Sequence, residues 1–106
     1  KRLMYQLVLC TCPNIEVAEN VAQCLVDGKL AACVNIMPEI TSVYCWQEQV
    51  ESSKEIQLFI KTTSEKFDAL SEKIKAIHPY DVPEIIALNI QQGDNNYLNW
   101  INESLK

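Results

Sequence analysis

L-A-A-C-V-N-I-M-P-E-I-T-S-V-Y-C-W-Q-E-Q-V-E-S-S-K-E-I-Q-L-F-I-K-T-T, residues 30–63, is dominated by β-branched, aromatic and aliphatic residues. Residues 30–37 read as a strand. Pro38 has no N–H to give to a ladder and should interrupt or kink it. Residues 41–50 resume extended structure through Thr41, Val43, Tyr44 and Trp46. Strand alternation puts Tyr44 and Trp46 on one face, Val43 and Cys45 on the other. The polar E-S-S-K at 51–54 reads as a turn, and residues 56–63 as the next strand.

On the N-terminal side, L-M-Y-Q-L-V-L-C (3–10) is nearly all apolar, the pattern of a strand buried on both faces. Pro13 and Asn14 open a helix whose apolar positions Val17, Val21, Cys24 and Leu25 keep helical spacing. Gly28 is placed to stop it. On the C-terminal side, Ser64 should cap a second helix with Phe67, Leu70, Ile74 and Ile77 on its apolar stripe. His78-Pro79 ends it, because the residue before a proline resists helical geometry. Residues 82–91 read as a long last strand, Gly93-Asp94 as a turn, and residues 97–105 as a terminal helix.

The order β-α-β-β-α-β plus a C-terminal helix is that of an α+β, ferredoxin-like βαβ-βαβ sandwich. An extended β-hairpin joins its two halves, and its helices lie on one face. The strand after the first helix then lies at a sheet edge. Residues 30–50 are far longer than the rest of the sheet can cover, and a long apolar edge strand is an aggregation hazard unless paired. Pairing with a neighbouring subunit is the economical solution, so a homo-oligomer is expected. The alternative is a strand folded back on its own sheet.

The 106 residues suffice for a single domain over 1–106. Chain-length scaling gives roughly 6,000 Å² of folded surface against roughly 17,500 Å² unfolded, enough for one modest core. A hydrophobic share of 48% with 22% charged residues excludes intrinsic disorder. Nine basic against fourteen acidic residues, net −5, leave no basic patch, so no nucleic-acid partner is expected. No apolar stretch reaches the ~18 residues of a membrane span. Five cysteines, an odd number without zinc-finger spacing, argue for reduced thiols and a cytoplasmic setting.

Two places could carry chemistry. His78, the only histidine, sits in H-P-Y-D-V-P-E (78–84), a loop stiffened by two prolines, with Tyr80, Asp81 and Glu84 adding oxygen donors. Such a histidine can be structural, a metal ligand or a catalytic base. Cys10 and Cys12 end the first strand and, two apart, point to the same side. With an imidazole, soft thiolates select copper or zinc over magnesium or calcium. Buried thiols are also ordinary core fillers, the reading given to Cys24, Cys33 and Cys45. A Cys10–His78 nucleophilic pair has no local signature to support it. Nucleotide and hydrolase motifs are absent, and the two glycines, Gly28 and Gly93, cannot form a phosphate cradle. No enzyme activity is expected.

Taken in order, V-L-C-T (8–11), K-L-A-A-C-V-N (29–35), S-V-Y-C-W (42–46), I-K-T (60–62), H-P-Y-D-V-P-E (78–84) and Y-L-N-W (97–100) resemble the CutA family almost end to end. The resemblance implies a divalent-cation tolerance protein, a compact homotrimer paired through the long hairpin, and a likeness to the trimeric PII signalling proteins. It implies a cytoplasmic protein that binds copper or other heavy-metal ions and contributes to the response to them. The family's cysteine at the end of strand one carries over onto Cys10, and the histidine of H-P-Y onto His78. Some members have two consecutive histidines there; this chain has Ile77 in the first place, which removes one ligand. Cys12 is a candidate second soft ligand. The other function class is a PII-like regulatory or scaffolding trimer. It would bind a small ligand or protein partner in inter-subunit clefts, near Lys61 and the H-P-Y loop.

Overall fold

The computed structural model describes residues 3–106. Its strands are β1 (Tyr5–Cys12), β2 (Cys33–Trp46), β3 (Gln49–Thr63) and β4 (Ile86–Asn89). Its helices are α1 (Ile15–Asp27), α2 (Phe67–Ile77) and α3 (Asn95–Ser104). The strands form one sheet in the order β2-β3-β1-β4, every pair antiparallel. The expected α+β class and the edge position of the strand after α1 are both found.

Alternation sorts β1 into two faces. Val8, Cys10 and Cys12 are fully buried. They pack with Ile56, Leu58 and Ile60 of β3, Ala18, Val21 and Leu25 of α1, and Leu70 and Ile74 of α2. Each large aliphatic side chain in that set contributes about 1.5–3 kcal/mol by leaving water. Leu7 and Leu9 point the other way and are only half-buried. Burial of β1 on both faces is therefore not found, because the two long helices cover a single side. α3 forms a smaller cluster, with Ile101 and Leu105 against Ala32 and Tyr5.

Asn14 caps α1 as expected, accepting from the Val17 N–H at 2.9 Å. Gly28 does stop α1, but at an ordinary φ of −82°; the left-handed residue is Lys29. What Gly28 supplies is room, since a Cβ there would lie 3.1 Å from the Cys24 carbonyl oxygen. Ser64 does not cap α2. Its hydroxyl accepts from the Met4 N–H, and a single 3-10 turn, Ser64–Lys66, precedes the helix.

The hairpin differs most from expectation. Its turn lies at Gln47 and Glu48, both with positive φ, the geometry of a two-residue primed turn. Residues 51–54 are strand, paired with residues 41–44. Polar residues mark a turn only where strands have a buried face, and this ribbon has none of its own. Pro38 and left-handed Glu39 produce a bulge between Met37 and Ile40, so the break expected at Pro38 is a register shift within one strand. β4 is confined to Ile86–Asn89, because Pro83 holds residues 82–85 off the ladder. The cysteines read as packing also divide: Cys24 and Cys33 are partly exposed and Cys45 is exposed.

Candidate metal centre

β1 ends in Cys-Thr-Cys, so alternation sends both thiols beneath α1 and α2 and leaves the Thr11 carbonyl between them. α2 stops at His78, whose N–H still donates to the Ile74 carbonyl while its ψ of 139° turns the chain out of the helix ahead of Pro79. That exit carries the imidazole, itself buried, over the end of β1. Donor atoms of Cys10, Cys12 and His78 all lie within 4.8 Å of one another.

The hydrogen bonds fix the ring. The Tyr80 N–H donates to Nδ1 of His78 at 3.1 Å, so that nitrogen is an acceptor. Nε2 lies 2.8 Å from the Thr11 carbonyl oxygen and must carry the proton. The same carbonyl receives the Cys10 thiol at 3.7 Å. Both imidazole nitrogens are therefore engaged, and either can bind a metal only by giving up its present partner. The Tyr80 ring packs on the imidazole with centroids 4.7 Å apart. Its hydroxyl donates to Glu55 at 2.7 Å.

The two thiols are not equivalent. The hydrogen bond to Cys12 pushes Cys10 well above the ordinary thiol range, helped by burial and by the charges of Cys12, Glu84 and Glu55. The same hydrogen bond pulls Cys12 below that range, against burial and Glu55. One proton leaves the pair, from Cys12, more readily than two. Burial, then the hydrogen bond and charge of Glu55, raise the Tyr80 phenol.

The donor set suits a soft or borderline metal. Thiolates lie about 2.3 Å from zinc, so two donors on one ion are at most roughly 4.6 Å apart, close to the spacing found here. A metal held here would be bound by the sulfurs of Cys10 and Cys12, with His78 joining at the cost of a hydrogen bond. The structure thus brings together Cys10, Cys12, His78 and Tyr80, and leaves Asp81 exposed. Lys61 pairs with Leu7 and Cys33, four ladder positions from the Thr11–Gln57 pair, and donates to Asn35. Glu55 is the residue that sequence reading missed. Its signal was one acid at the head of the apolar run I-Q-L-F-I, where burial demands a partner.

A family model described as CutA1 divalent ion tolerance protein matches residues 6–104. A Thermus thermophilus protein named divalent-cation tolerance protein CutA is 50% identical over 95% of this chain and 98% of its own length. Its solved structure superposes with a TM-score of 0.94. A CutA homolog of Xenopus laevis is 50% identical over 88% of this chain, which spans 62% of that longer protein. The solved structure of an Archaeoglobus fulgidus protein, described as a periplasmic divalent cation tolerance protein CutA, is 39% identical. It covers 97% of this chain and all of its own, with a TM-score of 0.94.

Proposed function

The chain belongs to the CutA1 divalent ion tolerance family, and on that premise we propose that it is a homotrimer that binds copper or another heavy-metal ion. Cys10 and His78 hold the ion, and the protein contributes to the response to such metals without catalysing a reaction. In this reading residues 1–106 form a single ferredoxin-like domain working in the cytoplasm, the setting favoured by five free thiols. The observation that carries the metal assignment is the meeting of two buried thiols and the only imidazole within 4.8 Å.

The trimer rests on a separate observation. The sheet face away from α1 and α2 carries Leu7, Leu9 and Phe59, with Ile86 and Leu88 each 49% exposed. Beyond it, the ribbon tip holds Val43, Trp46 and Val50 in the open at 68%, 62% and 80% exposure. Apolar surface of that extent marks an interaction site, and a second and third copy of this chain are its occupants.

The metal reading is tested with the doubly substituted Cys10→Ser/His78→Ala protein, titrated with copper against a competing chelator. Binding should weaken about tenfold or more, ~1.4 kcal/mol. Affinity equal to that of the parent would overturn the assignment. It would leave the regulatory or scaffolding trimer as the better reading.

A further inference from the structure

The geometry points to Cys12, with Cys10, as the ligand pair that makes this a site for monovalent copper, in which both bonds that matter most come from sulfur. The inference rests on the metal reading above and alters it at one ligand: it names the ion, and it gives the second bond to Cys12 in place of His78.

Three observations carry it. First, Cys10 and Cys12 stand two apart on the same face of one strand, both with no exposed surface. Their backbone is fixed by pairing with Leu58 and Ile56, and the two sulfurs lie within 4.8 Å of each other. Second, the third donor is already committed. His78 gives Nε2–H to the Thr11 carbonyl and receives the Tyr80 N–H at Nδ1, whereas neither sulfur has a partner of comparable strength. An ion entering here meets two available sulfurs before it meets an available nitrogen. Third, the donor count is low and all three donor residues are buried. Zinc in a closed site asks for four ligands, and among the described residues this cluster offers three, one of them engaged. Soft thiolates select monovalent copper, which is content with two or three ligands. The carboxylate of Glu55 is occupied by the Tyr80 hydroxyl. Its charge and that of Glu84 still favour a cation at the sulfurs.

The binding step balances simply. Monovalent copper enters, two Cu–S bonds form, and the two thiols release their protons to the buffer. No oxidant or reductant takes part, because the ion is supplied already reduced. The Thr11–His78–Tyr80 hydrogen bonds stay intact in this state, so His78 is a positioning residue that holds the end of β1 in place.

The test titrates the full chain, reduced and under anaerobic conditions, with monovalent copper against a chromogenic chelator of that ion. Divalent zinc is run in parallel. The parent should take one monovalent copper per chain and hold zinc far more weakly. Cys12→Ser should weaken copper binding on the order of a hundredfold, more than His78→Ala does. X-ray absorption of the loaded parent should report a shell dominated by sulfur. If Cys12→Ser binds as tightly as the parent while Cys10→Ser and His78→Ala lose the metal, the dithiolate inference falls and the Cys10–His78 site stands. A nitrogen-dominated shell overturns it in the same way and needs no variant, which covers the case of a Cys12 substitution that fails to fold by far-UV circular dichroism. A parent that takes up neither ion sinks the metal reading itself.

Discussion

The hairpin of β2 and β3 is built in two halves that obey different rules. In the near half, Val34 and Ile36 lie opposite Ile60 and Leu58, and α1 and α2 cover that face. In the far half, residues 40–46 and 49–55 pair only with each other, because β1 reaches no farther than Ile56. The far half keeps its ladder hydrogen bonds yet leaves Val43, Trp46 and Val50 in water. Backbone pairing alone gives a two-stranded ribbon little stability. The difference teaches that one continuous pair of strands serves the chain's own core at one end and, in the proposed trimer, another chain at the other. The 44 Å longest dimension, against 26 and 25 Å for the others, is the visible result.

The comparison can be broken most forcefully at Trp46. Trp46→Asp places a charge in the surface assigned to a second copy, where burial without a partner is costly. The expected outcome in analytical ultracentrifugation is loss of the trimer. A variant that sediments and melts like the parent would remove Trp46 from the interface. Next comes the near half. Leu58→Ala opens a cavity in the core and should cost about 2–5 kcal/mol in urea denaturation. The same truncation at the far end, Val50→Ala, should shift a separated subunit by no more than about 0.5 kcal/mol.

The junction between the halves is Glu55, held by Tyr80. Tyr80→Phe leaves a buried carboxylate short of one donor and should cost about 1–3 kcal/mol. The phenol is raised above its ordinary value near 10. A group raised on folding contributes stability that is complete below its unfolded value and is lost as pH rises through the folded one. The parent's urea midpoint should therefore fall more steeply above pH ~10 than that of Tyr80→Phe. Parallel curves would show that the Tyr80–Glu55 bond does not hold in solution. At Asn14, replacement by Ala removes one cap and should cost about 1 kcal/mol by thermal melting.

Where burial wrote the pattern, the sequence was readable. The stripes Val17–Val21–Leu25 and Leu70–Ile74 announced α1 and α2, and L-V-L-C announced β1. The length of residues 30–50 pointed to a strand longer than its sheet. The hairpin turn was not readable, because Gln47-Glu48 lacks the Asn-Gly chemistry that usually marks positive φ, and the polar E-S-S-K stretch imitates a turn. The sequence pattern overstates β4, because its apolar run continues through Pro83, where the ladder does not. At the site, Cys10, Cys12 and His78 were each singled out in the sequence. Their meeting, with His78 bonded to the Thr11 carbonyl 67 positions away, is a product of topology. Glu55 escaped because its partner Tyr80 lies 25 residues away, and no local pattern encodes that distance.

Native mass spectrometry of the reduced chain, titrated with copper against a competing chelator, puts both halves of the account to one test. The account predicts the mass of three chains carrying one copper per chain. A monomer, or a trimer that stays free of copper at chelator-buffered concentrations, would contradict it. The first would deny a second copy at the ribbon and open sheet face; the second would deny a metal at Cys10, Cys12 and His78.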